Sequence, residues 1–122
     1  MLKSIFALAF CFLLFGGCSN LYQSNEYGLP QGAKDAAIKH MQDHCGVMEL
    51  ECKDIKISCA SQLKISDADN ANGIDEQWCI DVTCITRRRD SNEWHDLNTG
   101  WGYVYFRKNG NWEMKIQLCK CR

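Results

Sequence analysis

The chain has 122 residues, a formal net charge of −1 at pH 7 and nine cysteines. This length suits one small domain built around a single hydrophobic core. A nearly neutral charge argues against nucleic acid or another polyanion as the main partner.

The first 18 residues have the layout of an export signal. Lys3 supplies a positive charge, an apolar run extends from Ile5 to Phe15, and two glycines lie directly ahead of Cys18. The run is too short to span a bilayer, which takes about 20 residues. The junction resembles the lipobox of bacterial lipoproteins, with Phe15 where leucine is commonest. That resemblance implies removal of residues 1–17 and acylation of Cys18, with palmitate among the attached chains. An ordinary signal peptide cut nearby is the alternative.

Residues 18–32 are predicted to form a lipidated tether. They are polar and turn-rich, and they contain the only proline of the chain. Acyl chains on Cys18 would hold the protein at a membrane, because each buried CH₂ contributes about 0.8 kcal/mol. Ser19 follows the thiol where an aspartate would resemble an inner-membrane retention signal. We therefore expect a bacterial envelope protein, lipid-anchored in the outer membrane and facing the periplasm.

Residues 33–122 are predicted to form one domain that starts with a helix. Apolar residues recur at spacings of four and three, which predicts an amphipathic helix over residues 33–48 that ends near Gly46. Its predicted apolar stripe contains Ala37, Met41, His44 and Met48.

The rest of the domain has the patterns of strands. Apolar residues alternate over residues 55–59 and 77–87, which predicts two strands. Residues 66–73 between them are dense in turn formers and are predicted to be a loop. Residues 100–107 and 111–119 are predicted to be the last two strands, after a polar connection over residues 88–99.

Asn109-Gly110 is the strongest hairpin signal of the chain and fixes a register. Lys108 then faces Asn111, and Val104 and Phe106 fall on the wetter face. The helix-facing pairs are predicted to be Arg107–Trp112, Tyr105–Met114, Tyr103–Ile116 and Trp101–Leu118.

This order predicts an α+β fold in which one helix packs on a four-stranded antiparallel meander braced by disulfides. The arrangement is similar to the curled sheet of cystatin-like and NTF2-like domains. Such domains include enzymes, inhibitors and scaffolds, so the resemblance implies a fold and no particular function.

Seven cysteines follow Cys18 and are candidates for disulfides. Their density indicates an oxidising compartment. Seven is odd, so at least one thiol is free or pairs with another chain; without lipid on Cys18, eight thiols could all pair. Strand parity favours two nested bridges, although sequence alone does not fix the pairing. The candidates are Cys45, Cys52, Cys59, Cys79, Cys84, Cys119 and Cys121; the favoured bridges are Cys52–Cys84 and Cys59–Cys79, which leave Cys45 for Cys119 or Cys121.

Cys119-Lys120-Cys121 is the most specific candidate for chemistry. Two thiols beside basic residues could exchange disulfides or bind a soft metal ion. However, the Cys-x-x-Cys spacing of thioredoxin-like proteins is not present. One bridge to Cys45 and one leftover thiol is the structural interpretation, and we favour it.

Three further patterns are weaker. His40 and His44, one helical turn apart, could share a zinc ion with Cys45 or His95, but we expect ordinary histidines. The acidic loop at residues 67–76 fails the calcium-loop spacing, because Ala68 and Cys79 would fill its first and twelfth positions. The run at residues 87–89 could meet anionic lipid or an acidic partner, but an exposed strand end is the simpler interpretation.

No catalytic residue, metal site or cofactor is predicted. The sequence therefore favours a lipid-anchored domain that binds a protein without catalysis, as inhibitors and immunity proteins do. The alternatives are a thiol redox or metal-handling protein that uses Cys119 and Cys121, and a structural envelope component.

Overall fold

The structure is a computed structural model that describes residues 27–121. The predicted signal segment 1–17, the predicted lipidation site Cys18 and the first part of the predicted tether therefore lie outside the described residues. All elements described below belong to one compact unit that begins at Gln31.

The described chain confirms the α+β prediction, with one long helix and an antiparallel sheet. The sheet has five strands rather than the four predicted, because residues within the polar connection form a short additional strand. The elements in chain order are α1 (Gln31–Val47), β1 (Leu50–Leu63), α2 (Asp67–Ala71), β2 (Ile74–Arg88), β3 (His95–Leu97), β4 (Gly102–Lys108) and β5 (Asn111–Cys119).

The segment predicted as a loop contains the short helix α2. Ser66 caps it: the Ser66 hydroxyl accepts a hydrogen bond of 3.0 Å from the backbone N–H of Asp69. Asp67 and Asp69 lie in its first turn, where negative charge complements the helix dipole. The turn-forming composition therefore favours a capped helical turn at this position.

The long strand β2 forms the centre of the sheet. The strand order is β1-β2-β4-β5, and β3 extends the β4 side of β2 near its C-terminal end. Two register shifts in β1, at Lys53/Lys56 and Ile57/Cys59, each add one residue opposite β2. Because two extra residues preserve alternation, Cys52 and Cys59 still lie on opposite faces of the sheet.

Helix α1 packs on one face of the sheet through small side chains. Ala33 and Ala37 are completely buried, and Cys45 is 4% exposed. These residues are spaced by multiples of four, so they lie on one side of the helix. The predicted stripe is wrong at its C-terminal end: His44 and Met48 are exposed, because the helix ends at Val47 and its buried side passes through Cys45.

The hairpin register is confirmed near the turn and wrong beyond it. Lys108 pairs with Asn111, Arg107 with Trp112 and Tyr105 with Met114, as predicted. A register shift between Tyr103 and Val104 then brings Tyr103 opposite Leu118, instead of Ile116. Trp101 precedes β4 and has no partner in the ladder, so the predicted Trp101–Leu118 pair is also wrong.

The sheet face opposite α1, here called the far face, is covered by the C-terminal segment. Cys119 of β5 bonds to Cys79 of β2, and Cys121 bonds to Cys59 of β1. The Cα atoms of Cys79 and Cys119 are 6.0 Å apart, whereas strands two places apart in a flat sheet are separated by about 9.6 Å. The end of β5 therefore crosses over the start of β4.

This crossing explains why one prediction about the hairpin faces fails. The hairpin pattern predicts Val104 on the wetter face, yet this residue is only 2% exposed. It pairs with Cys79, which is fully buried on the far face. The C-terminal disulfides cover this part of the sheet, so both faces of the central strands are buried.

Gly102 is required where β4 begins. A Cβ atom at this position would lie 2.6 Å from the carbonyl oxygen of Ile80 in the adjacent strand. Backbone cannot move aside as a flexible side chain can. We expect Gly102→Ala to lower the free energy of unfolding by about 1–3 kcal/mol, the usual cost of overpacking.

A urea titration of Gly102→Ala measures this loss. Gly46→Ala is the matched control, because Gly46 lies in α1 and a Cβ atom added there would point into open space. Alanine is a better helix former, so Gly46→Ala should raise stability by about 0.5–1 kcal/mol. Equal effects of the two substitutions would contradict the steric argument.

Candidate functional site

A cavity lies between α1 and the sheet. Its volume is about 360 Å³, within the size range of pockets that bind small molecules or single side chains. Apolar and aromatic side chains dominate its lining. They come from α1, β2, β3, β4, β5 and the connection before β4: Ala37, His40, Met41, His44, Ile80, Val82, Leu97, Thr99, Trp101, Tyr103, Tyr105 and Leu118.

The inner end of the cavity contains a hydrogen-bonded histidine and tyrosine. His40 Nδ1 lies 2.9 Å from the hydroxyl oxygen of Tyr105. The His40 ring also meets the ring of Tyr103 edge-on, with centroids 5.3 Å apart. Tyr105 is 1% exposed, and burial, together with Tyr103, raises the pKa of its phenol. Tyr105 therefore stays protonated and can donate to His40.

His40 is held in its neutral form. Burial lowers its pKa first, repulsion from His44 lowers it further, and attraction to Asp43 opposes both effects. A neutral imidazole accepts from the Tyr105 hydroxyl at an unprotonated Nδ1, or donates to the Tyr105 oxygen from a protonated Nδ1, so either tautomer forms the hydrogen bond. The pair therefore satisfies two polar groups inside an apolar cavity without introducing a charge.

The pH dependence of stability should report the neutral His40. Because its pKa is lowered on folding from 6.5, the unfolded chain binds more protons between the two values. The His40 contribution is therefore fully present above pH 6.5 and decreases as the pH falls towards the lower, folded-state pKa. We expect the urea midpoint of the wild-type protein to decrease as the pH is lowered from 6.5 towards the folded-state pKa of His40.

His40→Asn keeps a polar atom near the Nδ1 position and cannot titrate. Its urea midpoint should change less between pH 7.5 and pH 5 than that of the wild-type protein. His95→Asn, which removes an exposed histidine paired with Glu93, is the control. A wild-type pH profile that persists in His40→Asn would contradict this assignment.

Exposed apolar side chains continue the cavity lining onto the surface. Trp101 is 45% exposed and Leu118 is 56% exposed, and both also line the cavity. Ile116, on the same strand as Leu118, is 89% exposed. The ammonium group of Lys120 lies 4.7 Å from the centroid of the Trp101 ring. We call Trp101, Ile116 and Leu118 the mouth residues.

The backbone beside the mouth residues is also open to a partner. Strand β5 is an edge of the sheet and pairs with β4 along one side. An edge strand offers unpaired N–H and C=O groups to another chain. The Asn111–Cys119 edge therefore combines apolar side chains with available backbone hydrogen-bonding groups.

The disulfide pairing predicted from strand parity is wrong. The structure has Cys45–Cys52, Cys59–Cys121 and Cys79–Cys119. The register places Cys52 opposite Thr86 and Cys59 opposite Asp81, so each cysteine is a diagonal neighbour of its predicted partner. In both cases another segment, the end of α1 or the C-terminal segment, supplies the cysteine that actually bonds.

Cys119 and Cys121 are not a vicinal dithiol. Each belongs to a separate bridge, to Cys79 and to Cys59, and they lie on the covered far face. The interpretation with one bridge to Cys45 and a leftover C-terminal thiol is therefore also wrong. Among residues 27–121 the free cysteine is Cys84, which confirms the prediction that at least one thiol is unpaired.

Cys84 lies beside the disulfide of α1. The sulfur atoms of Cys45, Cys52 and Cys84 all lie within 4.8 Å of one another. Within residues 27–121 this is the one group of three potential metal ligands that lie close together, so His40 and His44 gain no third ligand from Cys45 or His95. The alternation of side chains along the strands predicts that Cys52 and Cys84 share one face of the sheet. It does not predict that Cys45 lies beside them.

The arginine run contributes to an aromatic and charged cluster on the surface. Arg87 forms an ion pair with Glu51 on the neighbouring strand. The centroid of the Trp94 ring lies 4.1 Å from the Lys53 ammonium group and 4.8 Å from the Arg87 guanidinium carbon. Arg88 pairs with Asp90. These contacts occupy Arg87 and Arg88 within the domain.

In comparisons with known proteins, no protein-family model, no curated protein and no solved structure matches this chain. Among residues 27–121, the helices are too short or too polar to cross a membrane.

Proposed function

We propose that this protein is a lipid-anchored component of the bacterial cell envelope whose domain binds another protein without catalysis. The observation that carries the proposal is the continuity between the cavity and the mouth residues. A protein partner would insert an apolar or aromatic side chain into the cavity and cover Trp101 and Leu118. The lipobox-like junction at Cys18 and the three bridges support an exported location.

The chemistry of this surface favours a protein partner. An exposed tryptophan beside a pocket, such as Trp101, is typical of the anchors that dominate binding energy at interfaces. The open edge of β5 adds backbone groups that can pair with an extended segment of the partner. An inhibitor or immunity-like role would use such a surface to block another protein.

Pull-down from solubilised membranes tests the binding proposal. We expect wild-type protein to retain a stoichiometric partner, and Trp101→Ala and Leu118→Ala to lose it. Met48→Ala is the matched control, because Met48 is 57% exposed and lies after α1, outside the cavity lining. Retention of the same proteins by all variants would contradict the proposal and favour a structural envelope component.

Mass spectrometry of the mature, unreduced protein tests the anchor. We expect acyl chains on Cys18 and release of Cys18→Ala from the membrane fraction. A Cys18→Ala protein that still sediments with membranes and keeps its electrophoretic mobility would refute lipid anchoring without affecting the proposed binding surface.

A further inference from the structure

The Cys84 thiol lies next to the Cys45–Cys52 disulfide inside the domain. Cys45 lies in the last turn of α1, Cys52 on the edge strand β1 and Cys84 on the central strand β2. Their sulfur atoms lie within 4.8 Å of one another. Exchange requires a thiolate to reach a disulfide sulfur, and a separation of at most 4.8 Å leaves only a short approach.

We propose that Cys84 exchanges with the Cys45–Cys52 disulfide and makes Cys52 an accessible site for modification by disulfide-bearing or alkylating molecules. Cys84 loses its proton to water, and its thiolate attacks the sulfur of Cys45. A Cys45–Cys84 bond forms while the Cys45–Cys52 bond breaks. The Cys52 thiolate leaves and takes up a proton, so the exchange involves no net oxidation or reduction.

Leaving-group chemistry sets the direction of the exchange. The sulfur that leaves most readily is the one whose thiolate is best stabilised. Cys45 is 4% exposed and lies near a helix C-terminus, where the dipole is negative, so a thiolate there is disfavoured. Cys52 is more exposed, so water can stabilise its thiolate. We therefore expect the Cys84 thiolate to attack the sulfur of Cys45 and the Cys52 thiolate to leave.

The exchange transfers a free thiol from the interior to the edge of the sheet. Cys84 is 4% exposed, and burial raises its pKa, which favours the protonated thiol in the resting state. After exchange, the thiol belongs to the half-buried Cys52 on β1. The new Cys45–Cys84 bond still ties α1 to the sheet. A disulfide-bearing molecule can then form a mixed disulfide with Cys52 and release its own thiol.

Labelling of the folded, unreduced wild-type protein tests the proposal. The protein is incubated with N-ethylmaleimide, all remaining thiols are blocked after denaturation, and disulfide-linked fragments are mapped by mass spectrometry. Cleavage after Glu49 or Glu51 separates Cys45 from Cys52, and cleavage before Asp81 separates Cys79 from Cys84. We expect maleimide on Cys52 together with a Cys45–Cys84 linked fragment.

Two variants complete the test. Cys84→Ala removes the attacking thiol and should abolish maleimide labelling of Cys52. Cys52→Ala leaves Cys45 and Cys84, which should form a disulfide when oxidised glutathione serves as the oxidant and is itself reduced. In the wild-type protein, no labelling, labelling confined to Cys84, or labelling of Cys45 with a Cys52–Cys84 fragment would each overturn the proposal. Two persistent thiols in Cys52→Ala would overturn it as well.

Discussion

Replacing the four cysteines of the far-face disulfides by alanine is expected to unfold the domain at about 37 °C. Cys59–Cys121 and Cys79–Cys119 join residues 62 and 40 positions apart, and the second bridge is nested within the first. Each bridge restricts the unfolded chain, and longer loops lose more conformational freedom on closure. The C-terminal segment would also lose its covalent attachment to β1 and β2.

The expected loss of stability is large. Closing a loop of 40 residues is worth about 4 kcal/mol in the chain-entropy model. With that bridge intact, the second bridge closes roughly 22 residues and contributes about 3 kcal/mol more. A combined loss of about 7 kcal/mol is comparable with the whole stability of a small domain, which is about 5–15 kcal/mol.

Circular dichroism and urea titration of the unreduced variants measure this effect. Cys45→Ala/Cys52→Ala is the matched control, because its bridge spans only 7 positions and should contribute about 2 kcal/mol. A cooperative transition in the four-alanine variant, with a midpoint near that of the control, would contradict the assigned role of the far-face bridges.

Replacing Tyr105 by alanine is expected to lower the free energy of unfolding by about 3–5 kcal/mol, as for other large buried aromatic side chains. Tyr105 is 1% exposed and is the largest fully buried side chain among residues 27–121. It pairs with Trp78 on one side and Met114 on the other. The substitution would therefore enlarge the cavity beneath α1 and leave His40 Nδ1 without its partner.

Tyr105→Phe separates packing from hydrogen bonding. It keeps the ring and removes only the hydroxyl that is hydrogen-bonded to His40, so we expect a loss of about 1 kcal/mol. Thermal denaturation of both variants at pH 7.5 measures the difference. Equal losses in the two variants would show that the hydroxyl, and not the buried ring, accounts for the role of Tyr105.

Local patterns predict the long helix and the four long strands, but they miss α2 and β3. The alternation of apolar residues identifies β1 and β2, and Asn109-Gly110 fixes the register of the hairpin near its turn. The register beyond Val104 could not be predicted, because the C-terminal segment leaves the plane of the sheet there. The disulfide that holds Cys119 next to Cys79 joins residues 40 positions apart, so no local pattern indicates it.

The candidate site is only partly predictable. The hairpin register places Tyr103 and Tyr105 on the face that receives the helix, and both line the cavity. The sequence offers His40 as a possible metal ligand, yet it is the hydrogen-bond partner of Tyr105. In the sequence, the signal that the His40 side chain faces the sheet is its position three residues after Ala37, which is buried. The angle at which α1 lies on the sheet determines which tyrosine it meets, and no local pattern encodes that angle.

Parity also explains the errors in the disulfide pairing. It correctly separates Cys52 and Cys59 onto opposite faces, which the two added residues in β1 preserve. It compares only cysteines on neighbouring strands. Cys45 and Cys119, which bond to Cys52 and Cys79, approach from the helix and from the crossing strand end.

The far-face bridges can form only late in synthesis, because the second cysteine of each bridge lies at the end of the chain. When the polypeptide leaves a ribosome or a translocation pore from its N-terminus, Cys45 and Cys52 meet early, whereas Cys59 and Cys79 wait for partners 62 and 40 positions later. During that interval the two waiting thiols are diagonal neighbours on one face. A premature bond between them would leave Cys119 and Cys121 without their native partners, and recovery of the native pairing would then need thiol–disulfide exchange.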